Sequence, residues 1–137
     1  MAVLVPNQLP GVDLPLFKLI SANMNVTTDQ TFVPIIPAVL GQRYIIDRIL
    51  CLNASTSLTT AAGGIYDTAS KGGNALVANS QAYSALTGAT LALDLTLAAV
   101  GKAVVAGVAP ILSLTTGQGS AATADFFVFG RLLTGLY

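Results

Sequence analysis

The sequence contains no histidine, no glutamate and no tryptophan, and its single cysteine is Cys51. Histidine, or a glutamate of raised pKa, is what most often moves protons in catalysis near neutral pH, so general acid–base chemistry has few candidates here. Zinc sites need several cysteine or histidine ligands, and an intrachain disulfide needs a second cysteine. The sequence therefore predicts a protein that is not an enzyme and holds no metal and no cofactor.

Charge is also scarce. Only 9% of the residues are charged, against roughly 25% in a typical soluble domain, whereas 53% are hydrophobic. The aspartates never form a D-x-D run of the kind that binds calcium, and the bases are scattered singly, so no basic patch exists for nucleic-acid phosphates. Mean hydropathy is +0.73. We expect so apolar a chain to bury much of its surface against partners, chiefly other copies of itself, and not to bind nucleic acid directly.

One stretch raises the question of a membrane span. Residues 95–114, LTLAAVGKAVVAGVAPILSL, carry one charge over roughly the length that crosses a bilayer. Against a span, Lys102 lies near the centre, two glycines and a proline weaken a helix, and no Lys/Arg cluster flanks the stretch. The N-terminus lacks the basic region of a secretory signal. We therefore expect no membrane contact, and keep a small membrane-inserted protein as the third hypothesis.

Residues 1–15 combine Pro6, Pro10 and Pro15 with scattered aliphatic side chains. Prolines at this spacing prevent regular secondary structure and favour an extended segment. An apolar segment of this kind gains from docking on a neighbouring subunit. We therefore divide the chain into an extended N-terminal arm, residues 1–15, and one domain, residues 16–137. The side chains predicted to lie at an interface are Val3, Leu4, Val5, Leu9, Leu14, Leu16 and Phe17.

Residues 43–54, RYIIDRILCLNA, predict a long central strand, because they are rich in β-branched side chains and have no helix-period stripe. Strict alternation places two sets of side chains on opposite faces: Ile45, Asp47, Ile49, Cys51 and Asn53 against Tyr44, Ile46, Arg48, Leu50 and Leu52. Neither set is cleanly polar, so we expect both faces to be covered, one of them by a second sheet. Cys51 is expected to be a small buried residue.

Further strands are predicted over residues 16–25, 31–36, 62–70, 75–78, 91–97, 111–116 and 124–133. Pro34 and Pro37 place the second of these at a sheet edge. Residues 91–97 alternate leucine with small or polar residues, so the four leucines should share a buried face. Residues 81–86 are compatible with a helical turn or a short strand. About eight strands with regular turns and no convincing long helix predict an all-β, single-domain β-sandwich of jelly-roll type.

Three stretches resemble small virion proteins of tailed bacteriophages. They are residues 53–73, NASTSLTTAAGGIYDTASKGG, residues 91–97, LALDLTL, and residues 122–130, ATADFFVFG. The resemblance covers roughly residues 43–131 and lies in small residues, Thr/Ala-rich strands and paired glycines. It implies a sandwich or jelly-roll subunit that trimerises and cements or decorates the hexamer junctions of a capsid. It carries over no site residue.

We therefore expect a capsid decoration or cement protein on the exterior of a virion, a homotrimer whose partners are its own copies and the major capsid protein. The same kind of sequence occurs in phage tail and fibre modules, so a receptor- or glycan-binding module is the alternative. That alternative predicts exposed tyrosines beside Asp or Asn side chains on loops, where the aromatic rings can stack on a sugar.

Overall fold

The computed structural model describes residues 14–35, 43–99, 104–106 and 108–133. These residues form ten β-strands in two antiparallel sheets. The strands are β1 (Leu14–Asn23), β2 (Gln30–Thr31), β3 (Val33–Pro34), β4 (Arg43–Leu52), β5 (Ala62–Thr68), β6 (Gly72–Val77), β7 (Ala92–Asp94), β8 (Val104–Ala106), β9 (Ile111–Thr116) and β10 (Thr123–Leu132).

The strand pairing follows a nested scheme. β1 pairs with β10, β2 with β9, β4 with both β7 and β8, and β5 with β6, as in one long hairpin. Two further pairings, β10 with β4 and β9 with β5, fold this hairpin over into two sheets. The strand order is β3-β1-β10-β4-β7 in the first sheet and β2-β9-β5-β6 in the second. A rolled nested hairpin of this kind is a jelly roll, so the predicted fold class is confirmed.

The strand predicted over residues 43–54 is β4, and it lies inside the first sheet, between β10 and the short strands β7 and β8. Its predicted faces are correct only in part. The side chains that point into the core are Tyr44, Ile46, Ile49 and Cys51. Strict alternation had placed the first two of these opposite the last two, so the pattern changes phase within the strand.

A β-bulge at Asp47 causes this change of phase. On β10, Gly130 lies opposite Ile46 and Phe129 lies opposite Arg48, so Asp47 is an extra residue of β4 between these two pairs. The inserted residue turns every following side chain of β4 to the other face. Gly130 makes the bulge possible, because a Cβ atom at this position would collide with the carbonyl oxygen of Ile45.

The edge strand predicted over residues 31–36 consists of two short strands in different sheets. β2 pairs with β9 in the second sheet and β3 pairs with β1 in the first, each at the end of its sheet, so the edge position is confirmed. Phe32 lies between the two strands and is buried, and its backbone N–H donates to the carbonyl of Pro110 (2.9 Å). The chain therefore crosses from one sheet to the other at Phe32, with the aromatic ring in the core.

The hydrophobic core lies between the two sheets and is built around Phe126 of β10. Its ring meets those of Phe32 and Tyr83 edge-on, with centroid distances of 6.1 and 5.8 Å. The buried Tyr83 hydroxyl donates to the carbonyl oxygen of Gly63 at 3.0 Å. The core therefore contains a large phenol without an unsatisfied polar group. Residues 81–86, left open between a helical turn and a strand, contribute a turn and a single bridge between Ala82 and Ala62.

The four leucines of residues 91–97 differ in how deeply their side chains are buried. Leu95 is buried and Leu93 and Leu97 are partly buried, but Leu91 is 68% exposed. The prediction of one shared buried face is therefore wrong at Leu91, which lies just before the three-residue strand β7. The stretch 95–114 contains strand residues of β8 and β9, and no helix in the described part of the chain is long and apolar enough to cross a membrane.

The first strand begins at Leu14, two residues earlier than the predicted boundary at residue 16. Pro15 pairs with Phe129, so the last two residues of the predicted arm belong to the sheet. The remainder of that arm, residues 1–13, lies outside the described residues. A truncation that leaves the domain intact should therefore end at Asp13.

Replacing Gly130 with alanine should destabilise the fold. The added methyl group would meet backbone atoms of Ile45 and Ile46, which cannot move without opening the β4–β10 pairing. Overpacking of this kind costs about 1–3 kcal/mol of unfolding free energy, measurable by urea denaturation. The control is Gly88→Ala, since a Cβ at Gly88 meets nothing within 4 Å. Equal stability of the two variants would contradict the assigned role of Gly130.

Candidate interaction surface

The outer face of the first sheet, turned away from the second sheet, carries a continuous row of side chains. Cross-strand pairing aligns Val33, Lys18, Phe127, Leu50 and Asp94 across five neighbouring strands. Directly paired residues of antiparallel strands point to the same side. Because the β10 residues on either side of Phe127 are buried in the core, this row points outward.

Six apolar side chains lie together on this outer face, among charged ones such as Lys18 and Asp94. We define the apolar band as Ile20, Val33, Leu50, Leu52, Phe127 and Phe129. Ile20 and Val33 are 50% and 53% exposed, and the other four side chains are partly exposed. The rings of Phe127 and Phe129 lie side by side, with centroids 6.5 Å apart and planes inclined at 36°. An apolar sheet face of this extent is typical of a surface that contacts another molecule.

Two ion pairs flank the apolar band. Arg48 donates from Nε and Nη2 to the two carboxylate oxygens of Asp94, both at 3.0 Å, and Arg131 binds Asp47 with the same geometry and distances. Exposed pairs of this kind contribute at most about 1 kcal/mol to stability. Their clearer effect is electrostatic, because each pair presents opposite charges side by side at the border of the band.

Asp125 fixes one end of the apolar band. Its carboxylate accepts hydrogen bonds from the backbone N–H of Ser21 (2.8 Å) and from Nδ2 of Asn53 (2.9 Å). Ser21 and Asn53 both have left-handed backbones, with φ of 53° and 55°, where the chain departs from regular strand geometry. One carboxylate thus joins β1, β10 and the residue after β4, and holds the neighbouring band residues at fixed positions.

The predicted interface residues fall into three groups. Val3, Leu4, Val5 and Leu9 lie outside the described residues. Leu14 is partly buried at the start of β1. Leu16 and Phe17 are fully buried in the core of their own subunit, so assigning them to an interface was wrong. A register shift between Pro15 and Phe17 explains why two consecutive residues point inward, which simple alternation does not anticipate.

The sequence analysis missed the apolar band as an interface, although a signal for it was present. Residues 124–133 are apolar at both alternating sets of positions, which means that one set must lie on the outer face of a two-layer sandwich. What the sequence could not show is that Leu50 of β4 lies beside Phe127 of β10, since these residues are far apart along the chain.

A shallow groove lies on the second sheet. It has a volume of about 360 Å³ and is lined by Tyr66, Lys71, Ala75, Ala78 and Asn79. The Lys71 ammonium donates to the carbonyl of Thr27 at 3.2 Å, so the cation is partly engaged in holding a loop. The groove therefore offers a phenol, an ammonium and an amide to a small polar ligand.

The described tyrosines do not form the exposed cluster that the glycan hypothesis predicts. Tyr44 and Tyr83 are fully buried, and Tyr66 is only 5% exposed at the floor of the groove. Stacking on a sugar needs an accessible aromatic face, which none of these three rings provides. Tyr137 lies outside the described residues.

The described part of the chain does not assemble a metal-binding group. Within it, no group of three or more His, Cys, Asp or Glu side chains could hold a metal ion. Cys51 is fully buried, as predicted. Burial, and secondarily the charge of Asp125, raises the pKa of the Cys51 thiol far above its ordinary value, which keeps it protonated.

Asp29 organises the loops beside the groove, a role that the sequence did not indicate. Its carboxylate accepts the backbone N–H of Ser70 (2.7 Å) and the hydroxyl of buried Ser113 (2.8 Å). These two hydrogen bonds, with Ser70 the larger cause, hold the pKa of Asp29 below its ordinary value of 3.8. Asp29 therefore ties a loop after β1 to the β5–β6 turn and to the outer side of β9.

Comparison of this chain with protein-family models, with curated proteins and with solved structures finds no match.

Replacing Asp29 with asparagine should reduce the acid sensitivity of the fold. Because the folded-state pKa of Asp29 is below its unfolded value, its contribution to stability is present above pH 3.8 and is lost as the pH falls through the lowered folded value. The measurement is the unfolding free energy as a function of pH below 5, by denaturant titration. The variant should be less stable at neutral pH and lose less stability on acidification. Parallel curves for variant and natural protein would contradict this role.

Proposed function

We propose that this protein is a non-enzymatic structural subunit of a virus particle, a decoration or cement protein on the outside of a bacteriophage capsid. The observation that carries the proposal is the apolar band on the outer face of the first sheet. A side chain such as Phe127 gains little from facing water and much from facing another protein. A chain whose outward surface is built in this way fits a role as a component of an assembly.

The mechanism is adhesive. Burying about 400 Å² of apolar surface at about 25 cal/mol per Å² yields roughly 10 kcal/mol, which is comparable with the estimated cost of about 4–15 kcal/mol for immobilising a partner. Repetition over many copies on one shell then multiplies a moderate contact by avidity. The flanking ion pairs form within the subunit, so association does not depend on charges that salt would screen.

Two further observations support the proposal. The jelly roll is a common architecture of viral capsid proteins, although lectin-type domains use it as well. The scarcity of ionisable groups supports a structural role over a catalytic one, since proton transfer near neutral pH has few candidates in this sequence. The resemblance of residues 43–131 to virion proteins of tailed phages points to the capsid as the partner. It also points to a homotrimer as the arrangement of subunits.

Polar substitution in the band should weaken binding to the particle. Phe127→Gln and Leu50→Gln place amides at the centre of the band, where each would be desolvated without a partner on association. We expect at least about a tenfold loss of affinity for capsids assembled without this chain, measured by co-sedimentation. The matched control is Thr116→Gln, at an exposed position on the second sheet.

The band variants must remain folded for this test to be informative, and circular dichroism with a urea titration establishes that. Binding of the natural protein should be similar in low-salt and high-salt buffer. Folded band variants that bind as well as the Thr116→Gln control would overturn the assignment of the band. Failure of the natural protein to bind any capsid preparation would overturn the proposed function itself.

A receptor- or glycan-binding module is the second candidate, and the groove beside Tyr66 is the observation in its favour. Lys71 and Asn79 provide donors for a small polar ligand there, but the tyrosine ring is covered. A glycan array distinguishes the two functions. Binding of a defined sugar that is lost in Lys71→Ala and retained in the band variants would favour this candidate over the structural role.

A further inference from the structure

We infer that the apolar band is the docking site for residues 1–13 of a second copy of this chain. The inference rests on the proposed function, because it names what covers the band when subunits assemble; the band then supports capsid binding by holding the subunits together and not by touching the capsid itself. It is an exchange of N-terminal segments between subunits, in which each copy provides one segment and one band.

The position of β1 places the segment next to the sheet that carries the band. Leu14 pairs with Gly130 and Pro15 pairs with Phe129, so residue 13 is attached beside the Phe129 end of the band. From there the band extends along β10 towards Asp125 and Leu52. The segment therefore joins the sheet at one end of this apolar surface.

The direction of β1 favours a second copy over the segment's own subunit. β1 runs beside the band from Leu14 towards Ile20 and Asn23. At Leu14, the N-terminal direction of the strand therefore points away from the band. To reach its own band, the chain would have to reverse direction immediately before Leu14 and Pro15, which are already fixed by pairing with β10. A segment that keeps the direction of β1 is instead available to a neighbouring subunit.

The chemistry of the segment matches that of the band. Residues 1–13, MAVLVPNQLPGVD, contain five Val or Leu side chains and one charged side chain, Asp13. A chain of this length cannot build a core of its own. Pro6 and Pro10 lack backbone N–H groups and cannot take part fully in a β-ladder. Contact through aliphatic side chains on a sheet face suits such a segment better than addition as an edge strand.

The segment is long enough for this contact. Thirteen residues span at most about 43 Å when fully extended, at about 3.3 Å per residue. The distance across the band from β3 to β4 is three strand spacings of about 4.8 Å, or about 14 Å. A segment can therefore leave one subunit and still cross the band of the next. Head-to-tail contacts of this kind close into a ring when the rotation between subunits permits, which fits a homotrimer.

Disulfide trapping between two different chains tests the inference. One preparation carries Val5→Cys and the other carries Ala92→Cys, an exposed position that pairs with Leu52 on the outer face. Native Cys51 is fully buried and does not compete. After mixing and mild oxidation, we expect a disulfide-linked dimer of the two chains, at a yield about tenfold above that obtained with the acceptor Thr116→Cys on the second sheet.

A second measurement uses the chain that begins at Leu14 and so retains all of β1. Sedimentation should show less self-association for this truncated chain than for the full chain, while its circular dichroism stays that of the folded domain. Introducing Leu50→Gln into the full chain should lower self-association in the same way.

Three results would overturn the inference: a cross-link yield no higher than that of the Thr116→Cys acceptor, unchanged self-association of the truncated chain, or efficient intrachain bonding in a dilute Val5→Cys, Ala92→Cys double variant. The last result would place the segment on its own subunit.

If the cross-link is absent but the natural chain binds capsids, the proposed function stands and only segment exchange fails. If the cross-link forms but no capsid is bound, segment exchange stands and the proposed function fails.

Discussion

The fold depends on β10, the last described strand, which lies in the middle of the first sheet and has apolar side chains on both faces. It pairs with β1 on one side and β4 on the other along most of its length, so it closes the rolled hairpin. Its inward residues, including Phe126, form the centre of the core, and its outward residues, including Phe127, form the centre of the apolar band. Core and candidate interaction surface are thus opposite sides of one strand, and the same backbone pairing that stabilises the fold fixes the geometry of the surface.

Few ion pairs secure the loops, and neutral amides hold several of them alongside the carboxylates of Asp29 and Asp125. The side-chain amide of Gln30 pairs with the backbone of Asn23 in the way a neighbouring strand would. It accepts a hydrogen bond from the Asn23 N–H at 2.8 Å and donates one to the Asn23 carbonyl oxygen at 2.9 Å. Gln118 accepts from the backbone N–H groups of Thr60 and Ala61. In the described residues no buried side-chain nitrogen or oxygen lacks a partner. Neutral hydrogen bonds of this kind are local and insensitive to salt, which suits a protein that functions as a fixed component.

The proposed structural role rests on how the polar and apolar groups are distributed. Arginine and aspartate on the outer face, as in Arg48 with Asp94, are paired within the subunit, and the apolar side chains between the pairs are left to contact another molecule. The groove on the second sheet offers less to a ligand, since the ring of Tyr66 is covered and Lys71 is partly engaged. The physical contrast between the two outer faces is what favours an adhesive role over ligand binding.

The sequence by itself determined the fold class, the central position of residues 43–54 and the edge position of the proline-containing strands. These follow from local properties, because β-branched residues favour strands and proline cannot donate to a ladder. It also indicated two apolar faces in residues 124–133. Only the tertiary structure decided which side chains share a face. The bulge at Asp47 needs a glycine on the neighbouring strand, and the shift near Pro15 turns both Leu16 and Phe17 inward. Such irregularities depend on how two distant strands pair, and a single strand's alternation carries no information about its partner.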